Sequence, residues 1–160
     1  MKKGMRFIIL IVATLLAYDG MASDEKEYRP GGSNFASIWD RFYSGEHEPE
    51  LDDPLIEAGS KMTLIITEAV SNKDMKLRRY AIGALGFIGD IKALPTLERI
   101  LNDKSEIYYF RGDALHAIYK IDQGLGRKYA KIYANDHEYL LDLAKSIKLD
   151  EKWLTEPTEH

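Results

Sequence analysis

The sequence predicts an all-α protein made of helix pairs that pack against one another along the chain. Apolar residues recur at the three- and four-residue spacing of a helix, and no segment alternates over a useful length with the two-residue period of a strand. The chain also overlays itself when it is shifted by 30 residues, so that residues 70–88 fall on residues 100–118. Such a period indicates helix–turn–helix units, whose apolar faces are buried only against neighbouring units.

The first 22 residues are predicted to be a secretory signal peptide. Three basic residues lie within the first six positions, and residues 7–18 form an apolar run of 12 residues without a charge. Gly20 and Ala22 are small residues that suit cleavage after Ala22. The run is shorter than the roughly 20 apolar residues of a membrane-spanning helix, so we expect no stable membrane insertion. The alternative is that this N-terminal segment is not cleaved and stays attached to the protein.

Charge and cysteine content narrow the classes of function. The formal net charge is −4, and loss of the three basic residues and one acidic residue in positions 1–22 would change it to −6. Negative charge disfavours binding to nucleic acid and to anionic membranes. The chain has no cysteine, which excludes disulfides, thiolate metal sites and a lipid attached to cysteine. These features favour a periplasmic or secreted bacterial protein with one domain.

Residues 23–52 are predicted to form a flexible leader with one short amphipathic helix. The stretch 23–32 is charged and ends in Arg-Pro-Gly-Gly, so it has little apolar surface to bury. Residues 33–44 carry apolar side chains at helical spacing, and Gly45 ends that helix. We expect this helix to cap one end of the core, and binding to a partner is the alternative.

The helical repeat domain is predicted to span residues 53–155. Asp53 and Pro54 form a typical helix start, and a break is expected near Gly59. Further helices are predicted at 75–88, 94–101, 106–121, 127–133 and 137–147. Gly124 and Gly126 indicate a helix break. They do not form a phosphate-binding loop, because no strand precedes them and the Lys-Ser/Thr pair is missing.

One motif of about 50 residues, from Met75 to Asp122, carries a resemblance to a known family. Its parts are Leu77-Arg78-Arg79-Tyr80-Ala81-Ile82-Gly83-Ala84-Leu85-Gly86, Ile88-Gly89-Asp90, Ala93-Leu94-Pro95, Leu97 and Ile100-Leu101-Asn102-Asp103. This pattern resembles the HEAT-like repeats of bacterial proteins, which also occur in phycobilin lyases. The resemblance implies a short right-handed α-solenoid of antiparallel helix pairs, with helix 33–44 as its N-terminal cap. The match departs at Tyr108, where the family has an arginine, and at Arg111, where it has a small residue.

The resemblance also places the second helix of each unit on the concave, partner-binding side. The residues expected there are Lys76, Arg79, Tyr80, Phe87, Glu106, Tyr109, Phe110, Asp113 and His116. Tyrosine and arginine dominate the residues that carry binding energy at protein interfaces. For Tyr80 and Phe110 the alternative is that they cover a neighbouring helix. We expect Arg78 to be structural and to bind an acidic residue such as Asp90.

The sequence predicts a protein without catalytic residues, metal ligands or a cofactor. It contains neither His-Glu-x-x-His nor Gly-x-Ser-x-Gly. His47-Glu48 and His137-Glu138 resemble the pairs of iron-binding HEAT-repeat hydroxylases, but the first pair lies in a linker. We therefore predict a protein-binding module of the envelope, either an immunity protein that neutralises a toxin or an adaptor of an envelope complex. The alternatives are a metal-dependent or other enzyme on a HEAT-like scaffold, and a structural subunit that self-associates.

Overall fold

The computed structural model describes residues 25–45 and 50–155, with the side chains of 25–45 and 51–148. Its α-helices are α1 (Ala36–Ser44), α2 (Asp53–Ala58), α3 (Thr63–Ala69), α4 (Arg78–Ile88), α5 (Leu94–Asn102), α6 (Tyr108–Ile121), α7 (Gln123–Tyr133) and α8 (Glu138–Thr155). No strand occurs among these residues, so the prediction of an all-α protein is confirmed for them. The predicted signal peptide, residues 1–22, and the linker residues 46–49 lie outside the described residues.

Helices α4, α5 and α6 lie where the spacing predicted them, with small shifts at their ends. Helix α4 begins at Arg78 rather than at residue 75, because Leu77 has a φ of 57°, a left-handed conformation outside the helical range. The predicted break near Gly59 occurs, since Gly59 has a φ of 67° and ends α2 before a 3-10 turn. Helix α8 continues to Thr155, beyond the predicted end at residue 147.

The predicted helix break at Gly124 and Gly126 is wrong, because both glycines lie inside α7. The carboxylate of Asp122 caps this helix by accepting a hydrogen bond from the backbone N–H of Leu125 at 2.9 Å. A Cβ atom on Gly126 would lie 2.5 Å from the Cα of Tyr119 in α6. The glycine therefore allows α7 to pack closely on α6, which a local sequence pattern does not reveal.

One buried core connects the described helices. Its largest fully buried side chains are Trp39, Phe42, Leu55, Met62, Ile66, Ile82, Leu85, Leu97, Leu101, Leu115, Ile118 and Leu140. Helix α6 has a central position among the later helices and contacts α4, α5, α7 and α8. None of the helices in the described ranges is long and apolar enough to cross a membrane.

Helix α1 buries its aromatic face in this core. Trp39 and Phe42 have no exposed surface, and their ring centroids lie 5.7 Å apart in an edge-to-face arrangement. Trp39 also stacks on Tyr43 with ring centroids 5.8 Å apart. This burial agrees with the expectation that the helix covers the core, and it leaves these three rings unavailable to a partner.

The segment that precedes α1 differs from the flexible leader that its composition predicted. Lys26 forms two backbone hydrogen bonds with the loop before α4, at 2.8 and 2.9 Å. The hydroxyl of Tyr43 donates to the carbonyl of Tyr28 at 2.8 Å and accepts from its N–H at 2.9 Å. The charged side chains of this segment predicted that it would bury little surface. Its backbone N–H and C=O groups nevertheless form the hydrogen bonds that join it to the core.

Arg78 is structural, as expected, but its partner is Glu106 and not Asp90. The arginine is 3% exposed. Its Nε donates to the carbonyl of Val70 at 2.8 Å, and its Nη1 binds Oε2 of Glu106 at 2.8 Å. The guanidinium carbon lies 4.7 Å from the ring centroid of Phe110. One arginine thus joins the residue that follows α3, the loop before α6 and α6 itself.

Arg111, near the start of α6, makes contacts of the same kind. Its Nε donates to the carbonyl of Leu101 at 2.9 Å, and its Nη2 binds Oδ2 of Asp136 at 2.8 Å. Its guanidinium carbon lies 5.5 Å from the ring centroid of Tyr133. Each contact of Arg78 therefore has a counterpart of the same chemical type around Arg111.

The two arginines lie 33 residues apart in the chain, whereas the sequence overlay used a shift of 30 residues. The two helices themselves begin 30 residues apart, at Arg78 and Tyr108. The difference of three residues therefore lies inside α6, where Arg111 is the fourth residue, whereas Arg78 is the first residue of α4. The contacts of Arg78 are thus matched by Arg111 and not by Tyr108, the residue that the sequence overlay aligned with Arg78.

Candidate partner-binding groove

A groove lies between α4 and α6, and residues at helical spacing on both helices line it. It encloses about 280 Å³ and is lined by Asp52, Arg79, Tyr80, Gly83, Phe87, Asp113, His116, Ala117 and Lys120. The structure thus brings together five of the predicted binding residues, which are Arg79, Tyr80, Phe87, Asp113 and His116. We call this surface the α4–α6 groove.

Arg79 joins the two helices at one end of the α4–α6 groove. Its Nε donates to Oδ2 of Asp113 at 2.7 Å, and its Nη2 donates to Oδ1 at 3.1 Å, so the pair is bidentate. These hydrogen bonds raise the pKa of Arg79. The guanidinium carbon lies 5.2 Å from the ring centroid of Tyr109. Tyr109, another predicted binding residue, therefore adjoins the groove through Arg79.

Phe87 presents an apolar ring along the same groove. The residue is 58% exposed, and the Nζ atom of Lys120 lies 4.1 Å from its ring centroid. Gly83 leaves the space between the helices open, since a Cβ atom there would meet only Oδ2 of Asp52, at 3.8 Å. An open floor beside an exposed ring and a cation suits contact with another molecule.

An aromatic cluster, formed by Tyr108, Tyr109, His137 and Tyr139, lies at the start of α6. The Tyr108 ring stacks on His137 with centroids 3.9 Å apart, and it meets the rings of Tyr109 and Tyr139 edge-on at 5.6 and 5.8 Å. Tyr108 and Tyr139 are 43% and 38% exposed. Partial burial is the main cause that raises the pKa of Tyr139. The cluster extends the accessible aromatic surface beyond the groove.

The structure corrects the predicted placement of three residues. Glu106, expected on the exposed side, is 8% exposed and pairs with Arg78, because it precedes α6 and belongs to the loop. Phe110 is half-buried beneath the Arg78 guanidinium. This agrees with the alternative that Phe110 packs against the rest of the protein. Lys76 lies outside the groove and pairs with Glu27 of the leader at 3.5 Å.

Two charged residues of the groove were not predicted. Lys120 lies four residues after His116 on α6, so extending the helical spacing by one turn would have found it. Asp52 comes from the 3-10 turn Glu50–Asp52, and no local pattern relates that turn to α4. Burial raises the pKa of Asp52.

The groove offers two rings, an arginine, a lysine, two carboxylates and an imidazole, which are groups that bind protein surfaces by stacking and charged hydrogen bonds. Among the described side chains, those of residues 25–45 and 51–148, no three histidine, aspartate or glutamate residues come together as a set of metal ligands. Comparison with known proteins gives no relative, since no protein-family model, no curated protein and no solved structure matches this chain.

Proposed function

We propose that this chain is a non-catalytic protein-binding module of the bacterial envelope, and that the α4–α6 groove is its binding surface. The observation that carries this proposal is the grouping of Arg79, Tyr80 and Phe87 with Tyr109 on one accessible surface. Arginine and aromatic residues contribute most of the binding energy at protein interfaces. A partner that covers the exposed Phe87 ring would also remove apolar surface from water.

The proposed architecture is a short right-handed solenoid of antiparallel HEAT-like helix pairs, capped by α1. The family-like motif supports it, and so do the matching contacts of Arg78 and Arg111. In such a solenoid α4 and α6 are the second helices of consecutive units, which form the concave side. The α4–α6 groove would then be the part of that side where a partner makes contacts with two units at once.

The proposed location is the periplasm or the cell exterior, after cleavage near Ala22. The support is the basic start, the short apolar run and the lack of cysteine in the sequence. An acidic protein of this kind is steered towards a basic partner by long-range attraction. Two partners suit it, namely a toxin that it would neutralise as an immunity protein, and a component of an envelope complex that it would join as an adaptor.

The double variant Arg79→Ala/Tyr109→Ala tests the groove as the binding surface. We expect it to lose the partner that the wild-type protein captures from the native envelope, because it removes both side chains of the contact that joins the groove to the aromatic cluster. The Arg79–Asp113 pair is partly exposed, so the free energy of unfolding should fall by only about 1 kcal/mol. Affinity capture and thermal unfolding measure the two effects.

A matched pair of glycine variants serves as the control. Gly83→Leu places a side chain in the open groove, whereas Gly124→Leu places one on α7, outside the groove. We expect only Gly83→Leu to block capture, with both proteins folded. Capture that survives both Gly83→Leu and the double variant would rule out the groove as the binding surface.

A further inference from the structure

A second groove lies between α7 and α8, at the C-terminal end of the described helices. It encloses about 470 Å³ and is lined by Arg127, Ala130, Lys131, Ala134, Leu141, Ala144, Lys145, Ile147 and Lys148. We call it the α7–α8 groove. It shares no lining residue with the α4–α6 groove, so whatever it binds is separate from the proposed function.

The floor of the α7–α8 groove is apolar and made largely of small side chains. Ala130 lies on α7, and Ala134 follows one turn later as the residue that caps the end of that helix. Leu141 and Ala144 lie one turn apart on α8. Alanine allows the backbone of another helix to come close, as Ala117 does within the core, where it lies against Gly86 of α4. The floor therefore has the shape that a packed helix needs.

The rim of the α7–α8 groove is uniformly basic. Arg127, Lys131, Lys145 and Lys148 line it, and none of its lining residues is acidic, although the whole chain has a formal charge of −4. Lys145 pairs with Asp142 at 3.0 Å, and the other three cations form no ion pair with the side chains that the structure describes.

The guanidinium of Arg127 is also incompletely paired. Its Nη2 donates to Gln123 at 3.2 Å, whereas its Nε is buried and has no acceptor among the described residues. A buried donor without an acceptor is unfavourable, but this Nε is closed to an incoming group. The ammonium groups of Lys131 and Lys148 are exposed, and an incoming carboxylate would supply the acceptors that they lack among the described side chains.

We propose that the α7–α8 groove binds an acidic amphipathic helix of a partner protein. The apolar face of that helix packs on the alanine-rich floor at intervals of three and four residues, and its carboxylates reach the four cations of the rim. From Leu141 to Ile147 the floor spans about 9 Å along α8, at a rise of about 1.5 Å per residue. A helix of about two turns fills this length.

A designed peptide of about 16 residues, long enough to form a helix, tests the proposal. It has leucine on one face and glutamate on the other, and fluorescence anisotropy reports its binding to the purified protein. We expect saturable binding that weakens with added salt and is stronger than that of the same peptide with lysine in place of glutamate. Equal binding of the two peptides, or no binding of the glutamate peptide, would overturn the proposal.

Charge reversal places the binding on the protein. We expect Lys131→Glu/Lys148→Glu to weaken binding of the glutamate peptide about ten-fold or more. The control is Lys61→Glu/Lys92→Glu, which changes the net charge by the same amount at two exposed lysines elsewhere. We expect this control to leave binding of the glutamate peptide nearly unchanged. Equal weakening by both variants would contradict the site. Binding of anionic phosphatidylglycerol vesicles through Lys131 and Lys148, without binding of the glutamate peptide, would also contradict the proposal. The groove would then be a lipid site.

Discussion

At the residue scale, Arg78 and Arg111 each tie the end of one helix to a later loop. Arg78 and Glu106 form the most deeply buried ion pair among the described side chains, with 2% and 5% of their side chains exposed. Removal of one partner from such a pair leaves an uncompensated charge in the interior, which costs more than the intact pair contributes.

The two units provide a matched comparison of this effect. We expect Glu106→Ala to lower the free energy of unfolding by about 3–5 kcal/mol, because Arg78 is left buried and charged. Asp136→Ala removes the equivalent carboxylate from Arg111, but the Asp136 side chain is 22% exposed, so water replaces it and the expected loss is about 1 kcal/mol. Urea unfolding followed by circular dichroism measures both. Similar losses in the two variants would contradict the assignment of Arg78–Glu106 as a buried pair.

The sequence predicted that Arg78 is structural, but it did not predict the partner. The pattern around Arg78 suggested a carboxylate in the adjacent loop, whereas Glu106 lies 28 residues further along the chain. The overlay by 30 residues aligned the starts of α4 and α6, whereas the matching arginine contacts lie 33 residues apart. Arg111 then appeared at a position for a small residue, although its contacts are those of Arg78.

At the element scale, glycines decide how closely α6 packs against its neighbours. A Cβ atom on Gly86 of α4 would lie 2.8 Å from the Cα of Ala117, and one on Gly126 of α7 would lie 2.5 Å from the Cα of Tyr119. Both contacts are with the backbone of α6, which cannot rotate away as a side chain can. The helices must separate if these glycines gain a side chain.

Substitution of the two glycines of α7 tests this packing. We expect Gly126→Ala to lower the free energy of unfolding by about 1–3 kcal/mol through overpacking against Tyr119, although alanine favours the helix by about 1 kcal/mol. Gly124→Ala meets only Oδ1 of Asp122, at 3.4 Å, and should raise the free energy of unfolding by up to about 1 kcal/mol through helix propensity. Denaturant unfolding of the two variants gives the comparison. A stabilising Gly126→Ala would show that α6 and α7 are not in close contact.

Helical spacing and Asp-Pro or glycine boundaries predicted most of the elements, because those signals are local. They failed where packing between distant segments overrides local preference. Glycine lowers helix propensity, so Gly126 suggested a break, whereas its role is to allow a close helix crossing. The charged leader suggested no order, whereas hydrogen bonds to Tyr43 and to the loop before α4 hold its backbone.

At the scale of the whole molecule, the α4–α6 groove is assembled from residues more than 30 positions apart. The spacing within each helix correctly grouped Arg79, Tyr80 and Phe87 on one side of α4, and Asp113 and His116 on one side of α6. The sequence did not reveal that Arg79 and Asp113 bridge the helices, because that contact depends on how the units pack.

Site-specific photo-crosslinking tests the proposed binding surface most directly. A photoreactive benzophenone side chain in place of Phe87 would lie in the groove, whereas the same group in place of Leu64, which is 63% exposed on α3, lies outside the groove lining. In the native envelope we expect a covalent adduct with the partner from position 87 and none from position 64. An adduct from position 64 alone, or a captured partner that never crosslinks at position 87, would contradict the account.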